Sequence, residues 1–269
     1  MPFTSTLDPV LFNIGPLSVR YYGLVYALGF LFAIWYSKWM RKKGILEMSD
    51  DDIYDAVFYM MLGVLIGGRL FSTLVWYPSY YLKNPLEILM VWKGGMAFHG
   101  GLIGVLIAAW WISREKNIPI GRLLDFYSMP FVFFLGIGRL ANFANGELYG
   151  PVTSVPWCVN FPGVAGCRHP YQIYSAIKRF LMVPILIWAF RRPHKDGFVF
   201  VLMTFFFGVG RFALDFWRED VLYIGISIGQ WSSVVVTALT IYVAVRYFRE
   251  DVKCLFHRTK SAHTAVTNE

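Results

Sequence analysis

Apolar runs about 20 residues long alternate with short clusters of charge along almost the whole chain. That length is what an α-helix, rising 1.5 Å per residue, needs to cross the hydrocarbon of a bilayer. Seven runs are read, near Tyr21–Ser37, Ile53–Val75, Met96–Ile112, Leu123–Leu140, Pro170–Phe190, Gly197–Phe216 and Ile224–Val245. A less regular stretch, Pro85–Trp92, predicts an amphipathic arm leading into the third run. Pro130 and Pro184 fall inside runs and predict kinks, which a bilayer helix tolerates when neighbours satisfy the freed carbonyls. The pattern predicts an all-α integral membrane protein of about seven transmembrane helices. They form a single multi-pass domain over residues 1–250, with a small external head segment at 141–169 and a cytoplasmic tail at 251–269.

Composition narrows the class further. Of the 269 residues 57% are hydrophobic and only 16% charged, against roughly a quarter charged in soluble domains. A disordered chain, a coiled coil and an ordinary cytosolic enzyme are excluded. The net charge of +8 reads as an orientation signal and an affinity for anionic lipid rather than as nucleic-acid binding. Fifteen Lys and Arg fall in one set of loops and the C-terminal tail, five in the opposite set, and five in or at the edge of runs. The richer side is cytoplasmic by the positive-inside rule, so the N-terminus is expected outside and the C-terminus in the cytoplasm. The first 18 residues lack a basic n-region, and Asp8 interrupts them, so no cleavable signal peptide is expected. No internal repeat of the transporter kind is visible. Cys158 and Cys167 share the head segment, where the compartment permits a disulfide; the sequence leaves their pairing open, and Cys254 is expected to be a free thiol.

A charged side chain inside a bilayer costs at least roughly 2.5–3.5 kcal/mol, so each one invites a functional question. The densest cluster is Gly138-Arg139-Leu140-Ala141-Asn142-Phe143-Ala144-Asn145-Gly146-Glu147-Leu148-Tyr149-Gly150. Arg139 and Asn142 share a helix face, and a guanidinium can hold a phosphate through two parallel hydrogen bonds. The alternative is an interfacial arginine snorkelling to headgroups. His99 stands among glycines in Gly94–Gly104, where another backbone or a headgroup can approach, and a neutral imidazole can take a proton from a thiol. Arg211 and Asp215 are four apart and can pair, either as a structural ion pair or with Arg211 as a second cation for a phosphate. Arg69 could be a third basic group. Lys178 and Arg179 have no acid at helical spacing; they predict a short or broken fifth helix and are given no role. Asp51-Asp52-Ile53-Tyr54-Asp55 spells the DDxxD of metal-dependent prenyltransferases, but it follows Ser49 at the start of a run and reads as a helix cap. The five histidines show no metal-ligand spacing, so no metal or cofactor is expected.

These residues also resemble a known family. Tyr-Tyr-Gly at 21–23, Gly-Gly-Arg at 67–69, GGMAFHGGLIG at 94–104, GRLANFANGELYG at 138–150, His169-Pro170 with Gln172 and Tyr174, and the Arg211 helix are together similar to bacterial phosphatidylglycerol–prolipoprotein diacylglyceryl transferases. The resemblance implies an inner-membrane enzyme that moves an sn-1,2-diacylglyceryl group from phosphatidylglycerol to the lipobox cysteine of a preprolipoprotein signal peptide. A thioether forms and glycerol-1-phosphate leaves. By position it implies roles for Tyr22, His99, Arg139, Asn142, Glu147, Gly150 and Arg211, beside which the residues themselves suggest Arg69, Asn145 and Asp215 as substrate contacts. The chain departs from the family pattern at Phe207, where a tyrosine is usual, at Asp215, where a glutamate is usual, and at Ser175, where a glutamate commonly follows the tyrosine.

The chemistry fits independently. A cysteine thiol with a pKa of roughly 8.5 needs a base, and cations stabilise the phosphate that departs in a low-dielectric place. Arg139 and Arg211 are expected to grip that phosphate, with Asn142 and Glu147 on the glycerol hydroxyls. His99 is either the base or a headgroup contact. The rivals are a transporter of an organic phosphate or lipid, another membrane lipid enzyme, and a catalytically impaired homologue that binds lipid or signal peptide.

Overall fold

Every predicted apolar run contains a helix, but the last, read from Ile224, becomes helical only at Ile228, because a hairpin takes up Leu222–Ser227 ahead of the Ser227 cap. The computed structural model describes residues 3–4, 10–14, 17–91 and 94–256. Its helices are α1 (Tyr21–Lys42), α2 (Asp50–Phe71), α3 (Pro78–Lys83), α4 (Phe98–Glu115), α5 (Ile120–Ala144), α6 (Tyr171–Phe190), α7 (Phe198–Leu214), α8 (Ile228–Tyr247) and α9 (Arg249–Phe256). Among the described residues, five helical stretches are long and apolar enough to cross a membrane: Asp50–Trp76, Ile120–Ala144, Tyr171–Phe190, Phe198–Trp217 and Ile228–Tyr247. The chain divides into two compact units, Val10–Leu123 and Leu124–Glu269, the latter taking in Met1–Pro9.

In the first unit, strands β2 (Val10–Ile14) and β3 (Leu17–Arg20) make an antiparallel hairpin that runs into α1. The acidic run expected as a cap is one. The Ser49 hydroxyl accepts the Asp52 amide at 3.0 Å and the Asp52 carboxylate accepts the Ser49 amide at 3.2 Å. Lys116 pairs with Asp52 at 2.7 Å and Lys38 with Asp50 at 3.1 Å. Helix α2 then meets α4 at glycines. A Cβ on Gly104 would lie 1.9 Å from the Gly63 carbonyl oxygen, and one on Gly100 would lie 2.2 Å from that of Gly67. Small residues four apart on both helices bring the backbones together, a packing that needs no hydrophobic driving force and therefore works in lipid. The backbone approach expected around His99 is thus that of α2. Past Phe71 the helix widens into a π-turn over Ser72–Trp76, and the arm expected at Pro85–Trp92 is built from α3 and a 3-10 turn at Pro85–Leu89.

In the second unit, α5 carries Pro130 inside it and runs on to Ala144, so the head segment expected from 141 begins with a last helical turn. Helix α6 passes through Lys178, Arg179 and Pro184 without a break, which corrects the shortened helix read from those charges: Arg179 is 4% exposed and its guanidinium bonds back onto its own helix, to the Ser175 carbonyl at 2.8 Å. Helices α7 and α8 pack closely where Gly208 faces Thr237, whose Oγ1 would be 2.5 Å from a Cβ. Buried Asp125 of α5 caps α7 from a distance, accepting the Gly197 and Phe200 amides at 2.7 Å each. The head segment is tied by strand β4 (Val159–Asn160), which pairs in parallel with β1 (Phe3–Thr4), and by a Cys158–Cys167 disulfide. A two-residue hairpin joins β5 (Leu222–Tyr223) to β6 (Ile226–Ser227) through Ile224 and Gly225, both at positive φ. Ser227 then caps α8 by accepting the Gln230 amide at 3.1 Å.

Candidate functional site

The second unit gathers most of the expected residues at the ends of α5, α6 and α7. Helix α5 brings Arg139 and Asn142 up in its last two turns, and the chain then reverses through Gly146 and Leu148, both left-handed. The reversal folds Glu147 back onto the helix. Its amide donates to the Asn142 carbonyl at 2.9 Å, and its carboxylate accepts Asn142 Nδ2 at 3.5 Å and Asn145 Nδ2 at 3.2 Å. Gln172, wholly buried at the start of α6, donates Nε2 to the Glu147 carbonyl at 2.5 Å. The carboxylate is thereby aimed by two carboxamides and a helix end. Asn145 Oδ1 and Gln172 Oε1 are buried acceptors with no donor among the described residues. Gly150 is small for a local reason: a Cβ there would lie 2.4 Å from the Trp217 carbonyl and 2.8 Å from the His169 Cβ, while its amide donates to the His169 carbonyl at 2.9 Å. His169 Nδ1 meets Tyr174 Oη at 3.1 Å, and that oxygen accepts Trp157 Nε1 at 2.8 Å, which fastens the head segment to α6.

Arg211 and Asp215 form the expected pair, Nε to Oδ2 at 3.3 Å, with Asp215 buried. The second carboxylate oxygen accepts the Tyr171 hydroxyl at 2.6 Å. Asp215, although shorter than the glutamate usual in the resembled family, reaches both partners. Gly229 makes room for them: a Cβ would lie 2.7 Å from Asp215 Oδ2 and 2.8 Å from Arg211 Nη2. Tyr171 also feels the charges of Arg139 and Arg218, which puts Arg139, Arg211 and Asp215 in one electrostatic neighbourhood.

Residues that sequence reasoning left without a role lie there too. The charges acting on Arg179 include those of Arg139, Arg211 and Asp215, and the same three act on Lys178. The Phe207 ring carries both cations, with Lys178 Nζ at 4.9 Å and Arg179 Cζ at 5.2 Å from its centroid. Gly210 lets the lysine stem cross α7, since a Cβ would lie 2.5 Å from Lys178 Cδ. Lys178 opens on a groove of about 490 Å3 between α6 and α7, whose walls include Ile177, Leu181, Phe206 and Val209. The signal that could have found this pair is the cost of two adjacent cations deep in a span, which is hard to explain without a counter-charge.

The remaining expected residues belong to the first unit. His99 lies in the first turn of α4, exposed, with the rings of Phe98 and Phe71 at 5.8 Å and 6.2 Å. Tyr22 is in the first turn of α1, and its side chain lies outside the described residues. Arg69, expected as a basic group for substrate, is 4% exposed and engaged with its own chain. Its Nε donates to the Ile88 carbonyl at 2.8 Å, its terminal nitrogens to the carbonyls of Glu87, Gly94 and Gly95, and it stacks 5.1 Å from the Tyr81 ring. It clamps the arm after α2. Among the described residues no group of three or more His, Cys, Asp or Glu is placed to hold a metal ion.

The family model for prolipoprotein diacylglyceryl transferase matches residues 9–246. A phosphatidylglycerol–prolipoprotein diacylglyceryl transferase of Geobacter sulfurreducens is 40% identical over 253 residues, covering 91% of this chain and 97% of its own. Those of Aliivibrio salmonicida and Cupriavidus pinatubonensis are 42% and 37% identical, covering 85% and 91% of this chain and 81% and 93% of their own. The chain belongs to the prolipoprotein diacylglyceryl transferase family.

Proposed function

We propose that this member of the prolipoprotein diacylglyceryl transferase family moves the sn-1,2-diacylglyceryl group of phosphatidylglycerol onto the lipobox cysteine of preprolipoprotein signal peptides. One observation carries the reading. Cations and hydrogen-bond acceptors stand together in one unit: Arg139 and Arg211 with the Glu147 carboxylate, Asn145 Oδ1 and Gln172 Oε1. That set complements a phosphate esterified to a polyol, the cations meeting the phosphate and the acceptors its hydroxyl donors.

In the reaction the cysteine sulfur forms a bond to C3 of the diacylglyceryl group as the bond from that carbon to the phosphate oxygen breaks. The electron pair leaves with the oxygen, and the thiol proton passes to a base. Arg139 and Arg211 hold the phosphate before and after cleavage. Asp215 and Tyr171 fix the direction of Arg211. Asn142 and Asn145 orient Glu147 toward the glycerol hydroxyls. His99 takes the thiol proton or holds the headgroup; His99→Gln keeps a hydrogen bond without basicity and separates the two. No metal or dissociable cofactor enters the scheme.

We place the enzyme in the bacterial inner membrane with seven spans, adding α1 and α4 to the five strongly apolar stretches. The N-terminus and head segment then face outward, where lipobox peptides and an oxidised Cys158–Cys167 pair belong. The test is rescue of a strain depleted of its own transferase, with lipidated product read by mass spectrometry. Rescue that disappears on Arg139→Ala supports the reading. Failure of the intact chain to rescue or to turn over phosphatidylglycerol sinks it.

A further inference from the structure

The phosphate leaves with more charge than it brought. A phosphodiester carries one negative charge, whereas a phosphate monoester, with a second pKa near 6, carries close to two at neutral pH. Of the two arginines assigned to it, Arg211 is already matched by Asp215 at 3.3 Å. Asp215 thus offsets part of the positive charge set against a group whose own charge doubles as the bond breaks.

Arg179 supplies what is missing. It is 4% exposed, in the third turn of α6, and shares an electrostatic neighbourhood with Arg139 and Arg211. One terminal nitrogen is bonded to the carbonyl and hydroxyl of Ser175, which fixes the guanidinium plane. Its Nε–H is buried and has no acceptor among the described residues. The Phe207 ring holds it from one side at 5.2 Å and holds Lys178 as well. The charges of Arg139 and Arg211 act on both Lys178 and Arg179, and so does that of Asp215, a carboxylate already shared by Arg211 and Tyr171. Like charges so placed in a low-dielectric region repel strongly unless an anion joins them. A buried donor without an acceptor carries a comparable penalty, which a ligand oxygen would remove.

We propose that Arg179 is a catalytic residue of this chain, whose Nε–H edge takes the second negative charge that develops on the departing phosphate. The proposal rests on the transfer reaction stated above. Lys178, 4.9 Å from the centroid of the same ring, adds to the field without a contact of its own. Because the charge appears only as the carbon–oxygen bond breaks, Arg179 acts on turnover more than on lipid binding.

The test uses the full chain in nanodiscs containing phosphatidylglycerol, with a lipobox peptide as acceptor. Arg179→Gln is expected to lower kcat about 10²-fold while KM for the lipid stays within about threefold, as for a contact made in the transition state. Arg179→Lys should recover at least part of that loss. Ser175→Glu leaves the arginine in place but sets a carboxylate at ion-pairing distance one turn away, and should lower kcat in the same direction. Inhibition by added glycerol-1-phosphate should weaken about tenfold or more in Arg179→Gln, the product being the dianion itself. A folded Arg179→Gln with wild-type kcat, or one that raises only KM, overturns the proposal. Should Arg179→Gln fail to fold, unchanged kcat in Ser175→Glu overturns it instead. If the intact chain shows no transfer, the reaction reading fails separately. Protection from thermal unfolding by glycerol-1-phosphate, compared with inorganic phosphate, then decides: stabilisation of the wild type but not of Ser175→Glu supports an anion subsite, and equal behaviour of the two removes it.

Discussion

In Val10–Leu123 the closest helix contact is glycine on glycine, whereas in Leu124–Glu269 the contacts that matter are between charges. The α2–α4 pair meets through Gly63, Gly67, Gly100 and Gly104, each too close to the opposite backbone to bear a Cβ. Helices α5, α6 and α7 carry Arg139, Arg179 and Arg211 instead, with Asp215 directly after α7, Tyr171 on Asp215, and Ser175 and Phe207 on Arg179. Both arrangements are expensive in a membrane, but the penalties differ in kind. A glycine pair is rigid and chemically silent, and changing it should harm the fold. A charge cluster is tolerated only with counter-charges, and changing it should harm turnover while the helices remain.

That contrast can be broken most readily at Arg139. Arg139→Ala should reduce transfer about 10³-fold, or about 4 kcal/mol of barrier, with unfolding in detergent unchanged. A variant that loses its fold along with its activity would erase the distinction between the two units. Next comes Gly104→Ala, whose Cβ would sit 1.9 Å from the Gly63 oxygen. It should destabilise by about 3 kcal/mol, as overpacking does, and lower the folded yield. Gly101→Ala on the same helix, with its nearest neighbour at 3.5 Å, should be nearly neutral. Arg69→Gln sharpens the comparison within the first unit. Losing the charged donors to Ile88, Gly94 and Glu87 should cost about 2 kcal/mol and expose the arm after α2 to proteolysis, with little change in KM for lipid.

The smallest effect concerns pH. The Asp125 carboxylate, 3.6 Å from Nε2, is the largest influence on His194 and raises its pKa, with burial opposing and the Arg192 carbonyl adding to the rise. Protonated His194 therefore contributes stability that is complete below about pH 6.5, the unperturbed value, and lost as pH climbs through the higher folded-state value. Melting temperature followed upward from about pH 6 should fall in the wild type by a small amount that His194→Gln removes. An unchanged slope in that variant would assign the dependence elsewhere.

The helices were legible because hydrophobic length and flanking charge are local properties. The acidic run after Ser49 was legible for the same reason, its capping partners lying three residues apart. The Arg139–Glu147 cluster could be recognised because its members are close in sequence and hydrogen-bond across two to five positions. Other features depend on distant partners and left no local trace. The carbonyls that take Arg69 lie 18 to 26 residues away, and the Asp125 cap on α7 spans 72 and 75. Lys178 and Arg179 predict a short or broken helix because charge is a local property, whereas the Phe207 ring that receives both cations lies on another helix.

Phe3–Thr4 pairs with Val159–Asn160, and this fixes an order of events during synthesis. When Phe3 leaves the ribosome, its partner strand has not yet been translated, and four of the predicted spans must follow before it exists. Phe3 and Thr4 therefore wait without their strand partner while the early helices are made, and the pairing forms only afterwards.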